Sequence, residues 1–203
     1  FSTQTLLKQF ATEYRSTIIY VTHDYREALA LSDRMVVLRK GVIEQAATPE
    51  EIYYTPATDF VGRLLGEPPM NMVDGEIFTR DDKTFFKAGD DFTIEIRKDL
   101  VNSAEKVARQ ENGKRITRLG IRCDDIRTSR QKMSDNSFQL PVYAVVHEAE
   151  SSVVTFELKG TFLYARTKEE KGLCDYRLSE MVWLDLNQER MFFYKNTIEI
   201  SKA

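Results

Sequence analysis

Two cysteines, Cys123 and Cys174, are all that the 203 residues contain. They lie far apart and lack the paired spacing of a zinc site or a disulfide framework, so neither is expected, and a reducing, cytoplasmic compartment is. Basic charge is not in excess. Lys plus Arg is 29 and Asp plus Glu is 32, a formal charge of −3. Nucleic acid and anionic membrane surfaces call for a basic excess, so neither is an expected partner. No apolar run approaches the ~20 residues of a membrane helix, so direct insertion is not expected. Histidine is scarce, with His23 and His147 alone. There is no internal repeat and no low-complexity tract.

What is present is ordinary globular material: 42% hydrophobic and 11% aromatic residues, enough for one or two domains with real cores. Leu6, Leu7, Phe10, Ala11 and Tyr14 recur at helical spacing. Residue 1 is Phe, and this first helix has no cap, which reads as the inside of a longer protein. The β-branched run Thr17–Thr22 predicts a strand buried on both faces, as in a parallel sheet. Thr22-His23-Asp24 follows. Tyr25, Ala28 and Leu29 then share a helix face, with Asp24 placed to cap its start. Met35–Leu38 predicts a strand, Arg39-Lys40-Gly41 a turn, and Val42–Ala46 the returning arm of a hairpin. Thr48-Pro49-Glu50-Glu51 is a capping box with proline in the first helical position. A further helix carries Phe60, Val61, Leu64 and Leu65, with Gly66 just past its end.

Glu67-Pro68-Pro69 breaks the helical pattern and reads as a linker. We therefore divide the chain into residues 1–66 and 67–203. Beyond the linker come short strand-like runs: Ile94 and Ile96, Val153–Leu158, Phe162–Ala165, Met181–Leu184 and Phe192–Ile200. Turn signals such as Lys159-Gly160 and Asn196 separate them. This predicts a small barrel or sandwich. One stretch, Leu100–Glu111, has helical spacing and predicts a helical insertion. His147 sits in a Val-rich run and is read as structural. Arg122, Asp124 and Asp125 are read as a solvated turn.

The run Ile19-Tyr20-Val21-Thr22-His23-Asp24, then Glu27-Ala28, then Ser32-Asp33-Arg34-Met35-Val36-Val37-Leu38 and Gly41, resembles the distal part of the ATP-binding subunit of ABC transporters. Thr48–Tyr54, Pro56-Ala57, Phe60-Val61 and Leu65-Gly66 continue the likeness into the maltose-type branch that imports sugars and related solutes. Pro69-Met70-Asn71 approximates the P-x-M-N that opens that branch's C-terminal TOBE (OB-like) regulatory domain. Gly120-Ile121-Arg122 keeps the first three residues of its G-I-R-P-E, and Cys123-Asp124 departs from the last two.

The resemblance implies an α+β chain: part of a RecA-like α/β ATPase domain over 1–66, then a β-rich OB-like barrel over 67–203. It implies that His23 is the switch histidine reaching the γ-phosphate of ATP, the one catalytic and cofactor-contacting residue here. A ring N–H can bond a terminal phosphate oxygen more strongly as charge develops there. Asp24 is read as a helix-start residue that helps order the loop. The implied cofactors are ATP and Mg2+ in the full-length subunit, with no metal site in this chain. The implied partners are a second ATPase subunit and the transmembrane permease subunits, which would hold the protein at the cytoplasmic face of the membrane.

The phosphate-cradling G-x-x-x-x-G-K-[ST] is missing, because no two of the nine glycines lie five apart. The adjacent glycines of the family's signature motif are missing too. The expectation is a chain that neither binds ATP well nor hydrolyses it alone. An alternative treats 67–203 as a stand-alone barrel that binds a small ligand or an oligonucleotide, with Phe85, Phe86, Phe192, Phe193 and Tyr194 as a stacking platform. The competing reading puts these aromatics in the barrel core.

Overall fold

The protein is described from a computed structural model that covers residues 3–168 and 174–196. The chain forms two compact units, Phe1–Gly66 and Glu67–Ala203.

The first unit runs α1 (Thr3–Tyr14), α2 (Tyr25–Leu31), β1 (Met35–Arg39), β2 (Val42–Ala47), α3 (Pro49–Tyr54) and α4 (Asp59–Leu64). Lys40 and Gly41 take φ of +49° and +79°, so Arg39 pairs directly with Val42 across a two-residue turn. Thr48 caps α3: its hydroxyl accepts from the Glu51 N–H, and the Glu51 carboxylate returns to the Thr48 N–H at 3.0 Å. Thr58 does the same work for α4 by accepting from the Val61 N–H. These caps aim Ile52 and Val61 inward, where they meet Met35, Val37 and Leu65. Tyr25, Ala28 and Leu29 of α2 close the cluster from the N-terminal side. Full burial of each such aliphatic side chain is worth about 1.5–3 kcal/mol.

The strand expected at Thr17–Thr22 does not form. Ile19 and Val21 are 89% and 88% exposed. A strand exists through ladder bonds to a neighbour, and among the described residues β1 and β2 pair only with each other. The sequence pattern records what the run would do inside a sheet, and no described strand supplies one.

The second unit holds two antiparallel sheets. One is ordered β13 (Phe192–Tyr194), β7 (Lys114–Ile121), β3 (Asn71–Arg80), β4 (Lys83–Ala88), β5 (Phe92–Glu95), with β6 (Arg109–Glu111) also on β7. The other is ordered β11 (Thr161–Thr167), β10 (Ser152–Leu158), β9 (Phe138–His147), β12 (Met181–Leu186), β8 (Ile126–Ser129). The second sheet curls until its edge strands β8 and β11 approach each other, the barrel-like form expected of an OB-like domain. Phe86, Phe92, Phe156, Leu119, Ile121, Leu140 and Leu163 fill one continuous core.

Three carboxamides stitch this unit by imitating a paired strand. Asn71 donates to the Tyr164 carbonyl at 2.8 Å and accepts the Tyr164 N–H at 2.7 Å, joining β3 of one sheet to β11 of the other. Asn136 holds both the N–H and the carbonyl of Glu95. Gln188 accepts from the Arg97 N–H and donates to the Glu95 carbonyl.

The helical insertion is α5, Lys98–Val107, shorter than the expected Leu100–Glu111 at its end. Asn112 and Gly113 both have positive φ, and this turn draws Arg109–Glu111 into β6 against Lys114–Ile116. An Asn-Gly pair is a strong hairpin signal and outweighs the local helical period. The last strand among the described residues is Phe192–Tyr194, and residues 197–200 of the expected run lie outside the described residues. Arg122 and Cys123 are buried, so of the expected solvated turn only Asp124 is exposed.

Candidate functional site: the His23 loop

Residues Tyr20–Asp24 form the lead-in to α2, and α2 is anchored through Tyr25, Ala28 and Leu29 on the core of the first unit. Asp24 is the N-cap, as expected: its carboxylate accepts from the Arg26 N–H at 2.8 Å. That bond holds its carboxyl below the ordinary aspartate range. The Asp24 N–H in turn donates to Thr22 Oγ1 at 3.0 Å. Thr22 Oγ1 donates to Glu27 Oε2 at 3.1 Å, and the Tyr20 phenol donates to the same oxygen at 2.9 Å. The Tyr20 phenol is pushed above its ordinary value, first because its O–H donates a hydrogen bond to that carboxylate and so holds the proton.

His23 sits at the apex of this bonded segment and is exposed. The chain on either side of it is fixed while its imidazole stays open to solvent. Such a ring can donate one N–H to an incoming anion without breaking an internal bond. In the sequence Glu27 stands out only as part of the Glu27-Ala28 pair. Its hold on Tyr20 and Thr22 was hidden because it depends on where α2 turns its first-turn acid.

The other residues of interest lie in the second unit. His147 Nδ1 meets Ser152 Oγ at 3.0 Å, and Ser152 Oγ also accepts the Cys174 N–H, a tie between chain segments. Cys123 is buried and its thiol is pushed up to about 12, chiefly by burial and then by the Asp124 charge. Burial also raises Asp125. Of the aromatic group, Phe86, Phe193 and Tyr194 are buried, while Phe85 and Phe192 are half-buried. Phe85 stacks on Phe78 with ring centres 5.4 Å apart. The five do not form one exposed platform. Among the described residues no group of His, Cys, Asp and Glu is arranged to hold a metal ion, and no helix is long and apolar enough to cross a membrane.

No family model matches the chain. Known proteins do. An sn-glycerol-3-phosphate import ATP-binding protein, UgpC, of Yersinia pestis is 38% identical over 136 residues, covering 66% of this chain and 35% of that one. The protein of the same description from Cereibacter sphaeroides is 54% identical over 67 residues, or 33% of this chain and 19% of that one. This chain is a relative of the ABC importer ATP-binding subunits. It spans about a third of the length of the Yersinia pestis relative. Among solved structures, the cytoplasmic molybdate-binding protein ModG aligns with 61% of this chain and 94% of its own, at a TM-score of 0.42 and 13% identity.

Proposed function

We propose that the chain is the C-terminal part of the ATP-hydrolysing subunit of an ABC importer, coupling ATP binding and hydrolysis to uptake of a sugar or related solute. Residues 1–66 are the distal part of the nucleotide-binding domain, and residues 67–203 are its regulatory domain. The observation that carries this reading is the likeness to import ATP-binding proteins over 66% of the chain; the His23 loop, an open imidazole on a bonded frame, fits it. The solute in the name of those relatives, sn-glycerol-3-phosphate, is the first cargo to test.

His23 fits a single contact with a terminal phosphate oxygen. When bound, ATP would supply the phosphoryl group and Mg2+ would offset its charge; the phosphate-cradling glycine motif that would give further donors is not in this sequence. What the chain does is hold one N–H donor where phosphate charge grows during transfer. A second ATPase subunit and the permease subunits are the partners of this reading, with the protein at the cytoplasmic face of the membrane.

Fusing the chain behind the N-terminal portion of the Yersinia pestis relative that it does not span tests the assignment. The fusion is expected to hydrolyse ATP and the chain alone is not. A folded fusion that binds ATP with no turnover would contradict the reading.

A further inference from the structure

We infer that Glu27 is the positioning residue of the His23 loop. The inference rests on the assignment of His23 to the phosphate. Glu27 Oε2 collects two hydroxyls from the segment that leads to His23, Tyr20 at 2.9 Å and Thr22 at 3.1 Å. The Asp24 N–H closes the far side by donating to Thr22 Oγ1 at 3.0 Å. Residues 20 to 27 are thus drawn into one bonded ring with His23 inside it, and no bond in the ring uses the imidazole.

Two observations separate this from ordinary helix capping. The start of α2 is already capped by Asp24, whose carboxylate takes the Arg26 N–H. The Glu27 carboxylate is therefore not needed by the helix backbone, and its Oε2 turns back to the loop instead. The helix that carries Glu27 is itself held by Ala28 and Leu29, its next two residues, in the core of the first unit. A helix packed on the core of the first unit thus passes its position to an exposed loop through one oxygen atom. Freed of that oxygen, a segment with no strand partner has little else to order it.

The test is NMR on the full chain with Glu27→Ala and Glu27→Gln. Backbone order parameters of Thr22, His23 and Asp24 are expected near about 0.85 in the parent and below about 0.6 in Glu27→Ala. Glu27→Gln keeps an oxygen that accepts both hydroxyls and is expected to restore order. The His147 ring signal and the Ile52 and Val61 signals serve as references and should not move. If Glu27→Ala disturbs those references, Tyr20→Phe removes one bond to Glu27 and Thr22→Val removes the other together with the acceptor of the Asp24 N–H, neither touching α2, and each is expected to loosen the loop alone. Unchanged loop order in Glu27→Ala, or in both of these single variants, overturns the inference. In the fusion ATPase, Glu27→Ala is expected to lower kcat roughly ten- to a hundredfold with KM held, and Glu27→Gln to recover it. A loosened loop with a normal kcat would overturn the role in positioning for chemistry. His23→Ala with normal turnover would instead remove the assignment of His23 and leave the loop result intact.

Discussion

Asn71 and Tyr164 stand 93 positions apart and exchange two hydrogen bonds, of 2.8 and 2.7 Å, as directly paired residues of a ladder do. The Asn71 side chain supplies both the donor and the acceptor, so a carboxamide takes the place of a strand. Asn71 is buried and is the last residue of the Pro69-Met70-Asn71 run that marks the start of the second unit. An asparagine there has a physical reason: it alone among short side chains offers a donor and an acceptor at peptide spacing. Asn71→Ala is expected to destabilise the second unit by about 2–4 kcal/mol, because the Tyr164 N–H and carbonyl lose their partners together. Denaturant unfolding followed by the fluorescence of Trp183, which lies in this unit, measures it. A loss under about 0.5 kcal/mol would show that water replaces the carboxamide at no cost.

Gly120 bears the ring of Tyr194. A Cβ on Gly120 would lie 2.6 Å from a Tyr194 ring carbon and 3.1 Å from Met70 Sδ. Gly120→Ala is therefore expected to cost about 1–3 kcal/mol through overpacking. Most of that cost should vanish in a Tyr194→Leu background, where the ring is absent. A cycle of unfolding measurements that shows additivity would mean that the contact is not the cause.

Cys123 should be a poor nucleophile. Its folded-state thiol ionises near about 12, against 9.0 for an ordinary cysteine. The neutral thiol is thus favoured in the fold, and the stability it contributes is whole below pH 9, then lost as pH rises from 9 toward 12. With Cys174 also buried, a disulfide-exchange reagent at pH 8 is expected to label neither cysteine before unfolding and both after it. Rapid labelling of Cys123 in the folded protein contradicts this placement.

Exchange of backbone hydrogens should divide the chain. Ile18, Ile19, Tyr20 and Val21 have no strand partner among the described residues and are expected to exchange within seconds to minutes. Leu119, Ile121, Val154 and Phe156, inside paired strands of the second unit, are expected to be slower by several orders of magnitude. Slow exchange at Ile18–Val21 would mean that the segment has found a partner strand, and sedimentation at micromolar concentration would then show whether that partner is a second copy.

The features legible in the sequence are those decided within a few residues. Lys40-Gly41 and the capping box of Thr48 with Glu51 obey local backbone rules, and both stand where the sequence put them. β3 escaped because Gly75 leaves an in-phase position without an apolar side chain, and β9 because Pro141 signals a strand break although Phe138, Leu140 and Val142 alternate across it. Asp81 and Asp82 form a hairpin turn with positive φ that only the register of Arg80 with Lys83 reveals. The Thr17–Thr22 run failed for the opposite reason: a clear local preference met no neighbour. At the candidate site, Thr22-His23-Asp24 and its long flanking likeness single out His23 in the sequence, and the proposal of its role rests on them. The grip of Glu27 on Tyr20 and Thr22 was not, because it spans seven residues across a loop and a helix turn.

Steady-state ATP hydrolysis by the fusion protein, with and without His23→Ala, bears most directly on the role proposed for this chain. Loss of a donor aimed at developing phosphate charge is expected to lower turnover by about 10²-fold or more. ATP affinity should change little, and the second unit should unfold at its usual denaturant concentration. Unchanged turnover in a folded His23→Ala fusion would contradict the account: the imidazole would then be an exposed loop residue that never meets the phosphate.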